Sequence, residues 1–176
     1  DIGIMSCEAQ HPDLVCQPLF RESMWLIGRP RDWRFARDVV QPIALDKIPL
    51  LVGSFMRTLL AKHVDRFGVE LNVVAEVDSL SLAREALRAG AGFFVAPFSA
   101  LDRELKAKEF VGAPLKGLEV SRGLFRHRDR PLARAAVTLS QMLESEIAKL
   151  TANLPEAFRS FSADPSVFAE FPPTTS

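Results

Sequence analysis

The sequence predicts an α/β fold with mostly parallel strands, on three observations. Residues 69–99 read as strand, capped helix, glycine stop and second strand. Val73, Val74 and Val77 supply β-branched residues, Ser79 is a good N-cap, and Leu82, Ala83, Ala86, Leu87 and Ala89 recur at helical spacing before Gly90 and Gly92. Pro49–Val52 and Phe93–Ala96 are short continuous apolar runs, as expected of strands buried on both faces. Three apolar segments, finally, each run into a serine able to begin a helix: Val52-Gly-Ser54, Val77-Asp-Ser79 and Ala96-Pro-Phe-Ser99. A strand–helix–strand unit of this kind crosses over with a right hand, and ligands in such sheets sit at the strand carboxyl ends.

Element by element, Asp1–Met5 reads as a short strand and Cys16–Pro30 as a long one, ended by the Gly28–Pro30 breaker. Asp32–Gln41 is polar and reads as a loop with a helical turn, followed by a short helix near Ala44–Lys47. The Pro49–Val52 strand passes through Gly53 into a helix with Phe55, Leu59, Leu60, Val64 and Phe67 on one side, stopped at Gly68. After the 69–99 unit, Ser99-Ala-Leu-Asp102 resembles a capping box for a short helix to about Lys106. Phe110–Leu115 and Leu118–Phe125 read as two strands around Gly117. Pro131 suits a first helical turn and opens the longest helix, with Leu132, Ala136, Leu139, Leu143, Ile147 and Leu150 on its apolar face. Beyond Thr151 the periodicity fails, and Pro165, Pro172 and Pro173 predict a loosely packed tail over residues 151–176.

The bulk composition narrows the function classes. A chain of 176 residues, 48% hydrophobic, can bury a real core. Its 22 basic and 22 acidic side chains cancel, which leaves no general attraction for nucleic acid. Only Arg122–Arg134 is locally basic, either a solvated strand-to-helix turn or a phosphate patch. Cys7 and Cys16 are too few for a disulfide-built secreted fold, and they read as two buried thiols or a redox pair. With no signal peptide and no apolar run near the roughly 20 residues of a membrane helix, the expected location is cytoplasmic, without membrane contact. An opening directly in a strand suggests a fragment, a buried parallel strand that has lost its neighbours.

If the three serine-led helices follow parallel neighbouring strands, their N-termini share one sheet edge. Unpaired N–H groups and the positive dipole end make that edge attractive to a carboxylate, sulfate or phosphate. Gly53 permits close approach, and Arg57 in the first turn adds a charged donor. The plainer alternative is that each serine only caps its own helix. Catalytic side chains are scarce. His11, His63 and His127 lack companions at metal or triad spacing, and Glu76 and Asp78 are expected to alternate across a strand and so to form no carboxylate pair on one face. No phosphate-loop or nucleophile-elbow motif is present. The sequence therefore predicts no enzyme, no cofactor and no metal.

The order of these segments resembles the effector-binding region of LysR-type transcriptional regulators. The resemblance runs from Asp1 to about Leu150, through Asp1-Ile-Gly-Ile, Gln17-Pro-Leu-Phe-Arg-Glu-Ser-Met-Trp-Leu-Ile-Gly28, Pro49-Leu-Leu-Val, Glu76-Val-Asp-Ser-Leu, Arg88-Ala-Gly-Ala-Gly-Phe-Phe-Val-Ala-Pro97 and Arg128-Asp-Arg-Pro-Leu-Ala. It implies a two-lobe, type 2 periplasmic-binding-protein-like fold, with crossings near Leu19–Trp25 and Pro114–Glu119. Residues 22–116 would form the second lobe; 1–21 and 117–150 would be the remainder of an incomplete first one. The family's effector contacts fall on Ser54, Phe55, Met56, Arg57, Asp78, Ser79, Pro97 and Phe98. Phe55, Met56 and Phe98 suggest an apolar body for the ligand, and Arg57 with the helix starts suggests an acidic head.

What the resemblance implies is a sensor binding a small, acidic effector between two lobes to control transcription. Its parent would be a homodimer or tetramer, touching promoter DNA only through a helix-turn-helix domain outside this sequence. A solute receptor of a transport system with the same fold is the alternative. The peroxide-sensing branch carries its cysteines in the second lobe, so the resemblance gives Cys7 and Cys16 no redox role.

Overall fold

In the computed structural model, which describes residues 2–7 and 11–160, the elements are, in chain order, β1 (Ile2–Ser6), β2 (Leu14–Gly28), β3 (Pro49–Val52), α1 (Ser54–Val64), β4 (Asn72–Glu76), α2 (Leu80–Ala89), β5 (Phe93–Pro97), α3 (Asp102–Lys106), β6 (Val111–His127), α4 (Arg134–Asn153) and β7 (Phe158–Ser160). Short 3₁₀ turns lie at Pro30–Asp32, Pro42–Leu45, Asp65–Phe67 and Phe98–Ala100. Contacts divide the chain into two units, Glu22–Val120 and the residues on either side of it, with β2 and β6 running through both.

The Glu22–Val120 unit is organised by alternation along its strands. β3 lies parallel to β5 (Leu50↔Phe93 to Val52↔Val95) and to β4 on its other side, and β5 continues into an antiparallel pairing with β2 (Met24↔Pro97 to Ile27↔Phe94). The parallel reading thus holds for β3, β4 and β5, while the long strand beside them runs the other way. Leu50, Val52, Phe93, Val95, Met24 and Leu26 pack with Met56, Leu60 and Val64 of α1. The alternate residues Leu51, Phe94, Ala96 and Ile27 pack with Ala83 and Leu87 of α2. Because successive strand residues face opposite ways, the two helices cover opposite faces of the sheet. β4 carries an irregularity between its pairings Leu50↔Val73 and Leu51↔Ala75, which leaves Val74 as an extra, 47% exposed residue.

Four sequence readings are corrected here. Ser99 does not cap a helix: it sits in the Phe98–Ala100 turn and donates its hydroxyl to Glu22 Oε1 at 2.5 Å, while α3 starts at Asp102 after Leu101 with no side-chain cap. The two strands around Gly117 are one, β6, because this glycine takes φ 73° within the strand without ending it. The turn near Ala44 is 3₁₀ and begins at Pro42, and the longest helix starts at Arg134, not at Pro131.

In the other unit, β1 pairs antiparallel with β6 from Ile2↔Arg126 to Ser6↔Arg122. β7 pairs with β2; Ala157 and Phe158 are buried, and the Phe158 ring meets Phe20 edge-on at 5.7 Å. Packing therefore continues past Thr151, and α4 runs to Asn153. The half-buried stripe of α4 is Ala136, Ser140, Leu143 and Ile147, so Leu139 (47% exposed) and Leu150 (44% exposed), expected on the apolar face, lie outside it. Asp1 and the prolines Pro165, Pro172 and Pro173 lie outside the described residues.

Candidate functional site

Neighbouring parallel strands whose following helices leave to opposite faces create a crevice at their carboxyl ends. β3 and β4 are such a pair: β3 runs into α1 and β4 into α2. The residues at this crevice are Gly53, Ser54 and Arg57 from the β3 side, and Glu76, Asp78 and Ser79 from the β4 side.

Gly53 is the N-cap of α1, with extended backbone and no side chain to close the first turn. Asp78 does that instead. Its Oδ1 accepts the Ser54 N–H at 2.8 Å and its Oδ2 accepts the Ser54 hydroxyl at 2.6 Å. A Cβ at position 53 would come within 3.1 Å of Asp78 Oδ1, so glycine there keeps the carboxylate close to the helix start. The Ser54 hydroxyl, then its N–H, hold the Asp78 carboxyl below the usual carboxylate range. One turn on, the Arg57 guanidinium pairs with the Glu76 carboxylate. Both are solvent-exposed, so this pair is easily exchanged for another anion.

Ser79 caps α2, its Oγ accepting the Leu82 N–H at 3.4 Å, and Gly90 ends the helix at φ 81°. A helix leaves its first N–H groups without intrahelical acceptors. With Ser54 taken by Asp78, the N–H groups of Phe55 and Met56 are the ones α1 offers to a ligand. The Met56 side chain is buried in the core and the Phe55 ring is 53% exposed, so of the two side chains only Phe55 is available at the surface.

Pro97 closes β5 opposite Met24 of β2. Phe98 turns away from the serines. Its buried ring packs on Trp25 at 4.9 Å between centroids and lines a concavity of about 490 Å³ with Arg37, Lys106 and Phe110. Neither Ser54–Arg57 nor Asp78–Ser79 lines that concavity. The structure therefore brings Ser54, Phe55, Arg57, Asp78 and Ser79 together and sets Phe98 apart.

Two participants went unnoticed in the sequence. Glu76 and Asp78 do not alternate across a strand, since residues two apart share a face and β4 ends at Glu76; Glu76 instead reaches Arg57 through the β3–β4 pairing. Glu22, 3% exposed, accepts the Ser99 hydroxyl; an acidic residue inside the apolar run of β2 is the signal that marks it.

The three histidines serve local structure. His63 Nε2–H donates to the Lys116 carbonyl at 3.1 Å, and partial burial is the main cause of its lowered pKa. His11 and His127 accept the N–H of Asp13 and of Asp129 through Nδ1. Among the described residues no group of three His, Cys, Asp or Glu is placed to hold a metal ion.

A sheet with parallel strands β3, β4 and β5 and a helix on each face defines a class of α/β domains rather than one protein. A model of the LysR substrate binding domain matches residues 1–148, and the chain belongs to that family. It is similar to the HTH-type transcriptional regulator BbuR of Bordetella bronchiseptica, at 28% identity over 144 residues. That match covers 78% of this chain but only 44% of BbuR, so the chain spans less than half the length of this relative.

Among solved structures, the regulatory domain of Synechocystis CcmR, in complex with 2-PG, superposes with a TM-score of 0.70 at 21% identity, covering 83% of this chain and 73% of that one. The regulatory domain of the LysR-family regulator MetR from N. meningitidis gives 0.68 at 15% identity, covering 92% and 76%. At these identities the likeness establishes the fold, the type 2 periplasmic-binding-protein-like fold of LysR regulatory domains. No helix among the described residues is long and apolar enough to cross a membrane.

Proposed function

We propose that this chain is the effector-sensing region of a LysR-type transcriptional regulator, and that it binds a small acidic ligand at the carboxyl edge of β3 and β4. The observation that carries this reading is the convergence of Ser54, Asp78 and Ser79 on one crevice of a domain of this family. A ligand carboxylate takes the N–H groups of Phe55 and Met56, and Arg57 exchanges Glu76 for the ligand. The exposed Phe55 ring covers the ligand's apolar body. Phe98, packed on Trp25 in a separate concavity, takes no part in this site.

The domain acts by binding and not by turnover. Occupancy shifts the regulator between states that hold promoter DNA differently. DNA contact comes from a helix-turn-helix outside this sequence, in a cytoplasmic homodimer or tetramer. The name of the relative BbuR favours a regulator over a transport receptor.

Thermal-shift measurement with succinate and benzoate, followed by calorimetry, tests the proposal. One of these acids raises the melting temperature, and Arg57→Ala weakens its binding by roughly 1.5–3 kcal/mol, the range for a charged hydrogen bond. No shift with either acid contradicts the acidic-ligand reading, and unchanged affinity in the variant removes Arg57 from the site.

A further inference from the structure

Cys7 and Cys16 are nine residues apart in the chain but meet in space. Cys7 follows β1 and donates its backbone N–H to the Ser121 carbonyl at 2.8 Å, while Cys16 lies on β2. The Cys16 thiol donates to Cys7 Sγ at 3.2 Å, a contact distance between two unbonded sulfurs.

What lies beside them is Gly123 of β6. A Cβ built there would come within 2.4 Å of Cys16 Sγ and 2.7 Å of Cys7 Sγ. The two sulfurs thus fill the volume that any side chain at 123 would need. Gly123 is not among the positive-φ glycines, so the backbone itself does not demand glycine at this position. The requirement is for room. Both cysteines are half-buried.

We propose that Cys7 and Cys16 form a modification site, a dithiol that hydrogen peroxide converts to an intramolecular disulfide. In the first step one thiolate attacks a peroxide oxygen. The O–O bond breaks, the sulfur becomes a sulfenic acid, and the second oxygen leaves as water after taking up a proton. In the second step the other thiol, as thiolate, attacks the sulfenic sulfur. The S–S bond forms, the S–O bond breaks, and a second water leaves. Two electrons pass from the sulfurs to the peroxide, and both thiol protons end in water. The sulfurs must approach by about 1.2 Å to reach the roughly 2.05 Å of a disulfide. The missing side chain at 123 is what lets the two sulfurs lie side by side there.

The test is mass spectrometry of the reduced full chain after hydrogen peroxide and alkylation of the remaining thiols. The expected product has lost the mass of two hydrogens, carries no alkyl group on either cysteine, and yields one cross-linked peptide pair containing Cys7 and Cys16. Dithiothreitol reverses it. In Cys16→Ser no cross-link forms, and a sulfenic acid at Cys7 is trapped by dimedone. Complete alkylation of both cysteines after peroxide, separate oxidation of each without a link, or a disulfide between two chains would overturn the proposal.

Discussion

Asp78 places its own carboxylate where the start of α1 presents donors, so the candidate site holds an internal anion at the position where the sequence suggests an external one. That arrangement has a pH signature. The Ser54 hydrogen bonds favour the ionised Asp78 and hold its folded-state pKa below the unfolded one. Its contribution to stability is present above the ordinary carboxylate range and is lost as pH falls through the lowered folded value. Asp78→Asn is expected to flatten the acid limb of the stability curve, measured by urea unfolding across a pH series. An acid limb identical to that of the parent would show that Asp78 does not support α1.

Ser79 permits a cleaner separation of roles. Ser79→Ala removes the α2 cap and should lower stability by about 1 kcal/mol whatever the ligand does. If Ser79 also meets the effector, affinity measured by calorimetry at a temperature where the variant is fully folded falls as well. A variant that melts lower and binds normally assigns Ser79 to the helix alone.

At the scale of elements, the local signals in the sequence were strong where sequence periodicity and burial coincide. The α2 segment has caps at both ends, and its buried residues Ala83 and Leu87 are one helical turn apart. β3 and β5 are apolar throughout because the sheet is covered on both faces, which is why their short runs could be read as strands. The failures share a cause: they are positions where a distant residue decides. Ser99 looks like a cap until Glu22 claims its hydroxyl, and Leu139 looks like a core residue until α4 packs through Ser140 instead. Glu76 and Arg57 are far apart in sequence and meet only through the β3–β4 pairing.

The α2-to-β5 turn also depends on tertiary packing. A Cβ on Gly92 would lie 2.6 Å from the Pro49 carbonyl oxygen and 3.0 Å from its carbon. Backbone cannot yield as a flexible side chain does. Gly92→Ala should therefore destabilise the domain by roughly 1–3 kcal/mol, the usual range for overpacking. Chemical denaturation checks this, and a stability equal to the parent's would mean that the β3–β5 packing is looser than described.

For the whole molecule, the proposed effector site is one crevice in the Glu22–Val120 unit. The other unit offers a rival, a cleft of about 310 Å³ lined by Val15, Gln17, Leu124, Arg126, Ser140 and Glu144, among others. Amide hydrogen exchange of the full chain, with and without the acid that gives the larger thermal shift, separates the two most directly. Ligand contact and the stiffening it brings slow exchange where the N–H groups are engaged. An effector bound at the proposed crevice slows exchange mainly in residues 53–57 and 78–82, at the starts of α1 and α2. Slowing concentrated instead in residues 15–17 and 132–144, with the α1 and α2 starts unchanged, would contradict it.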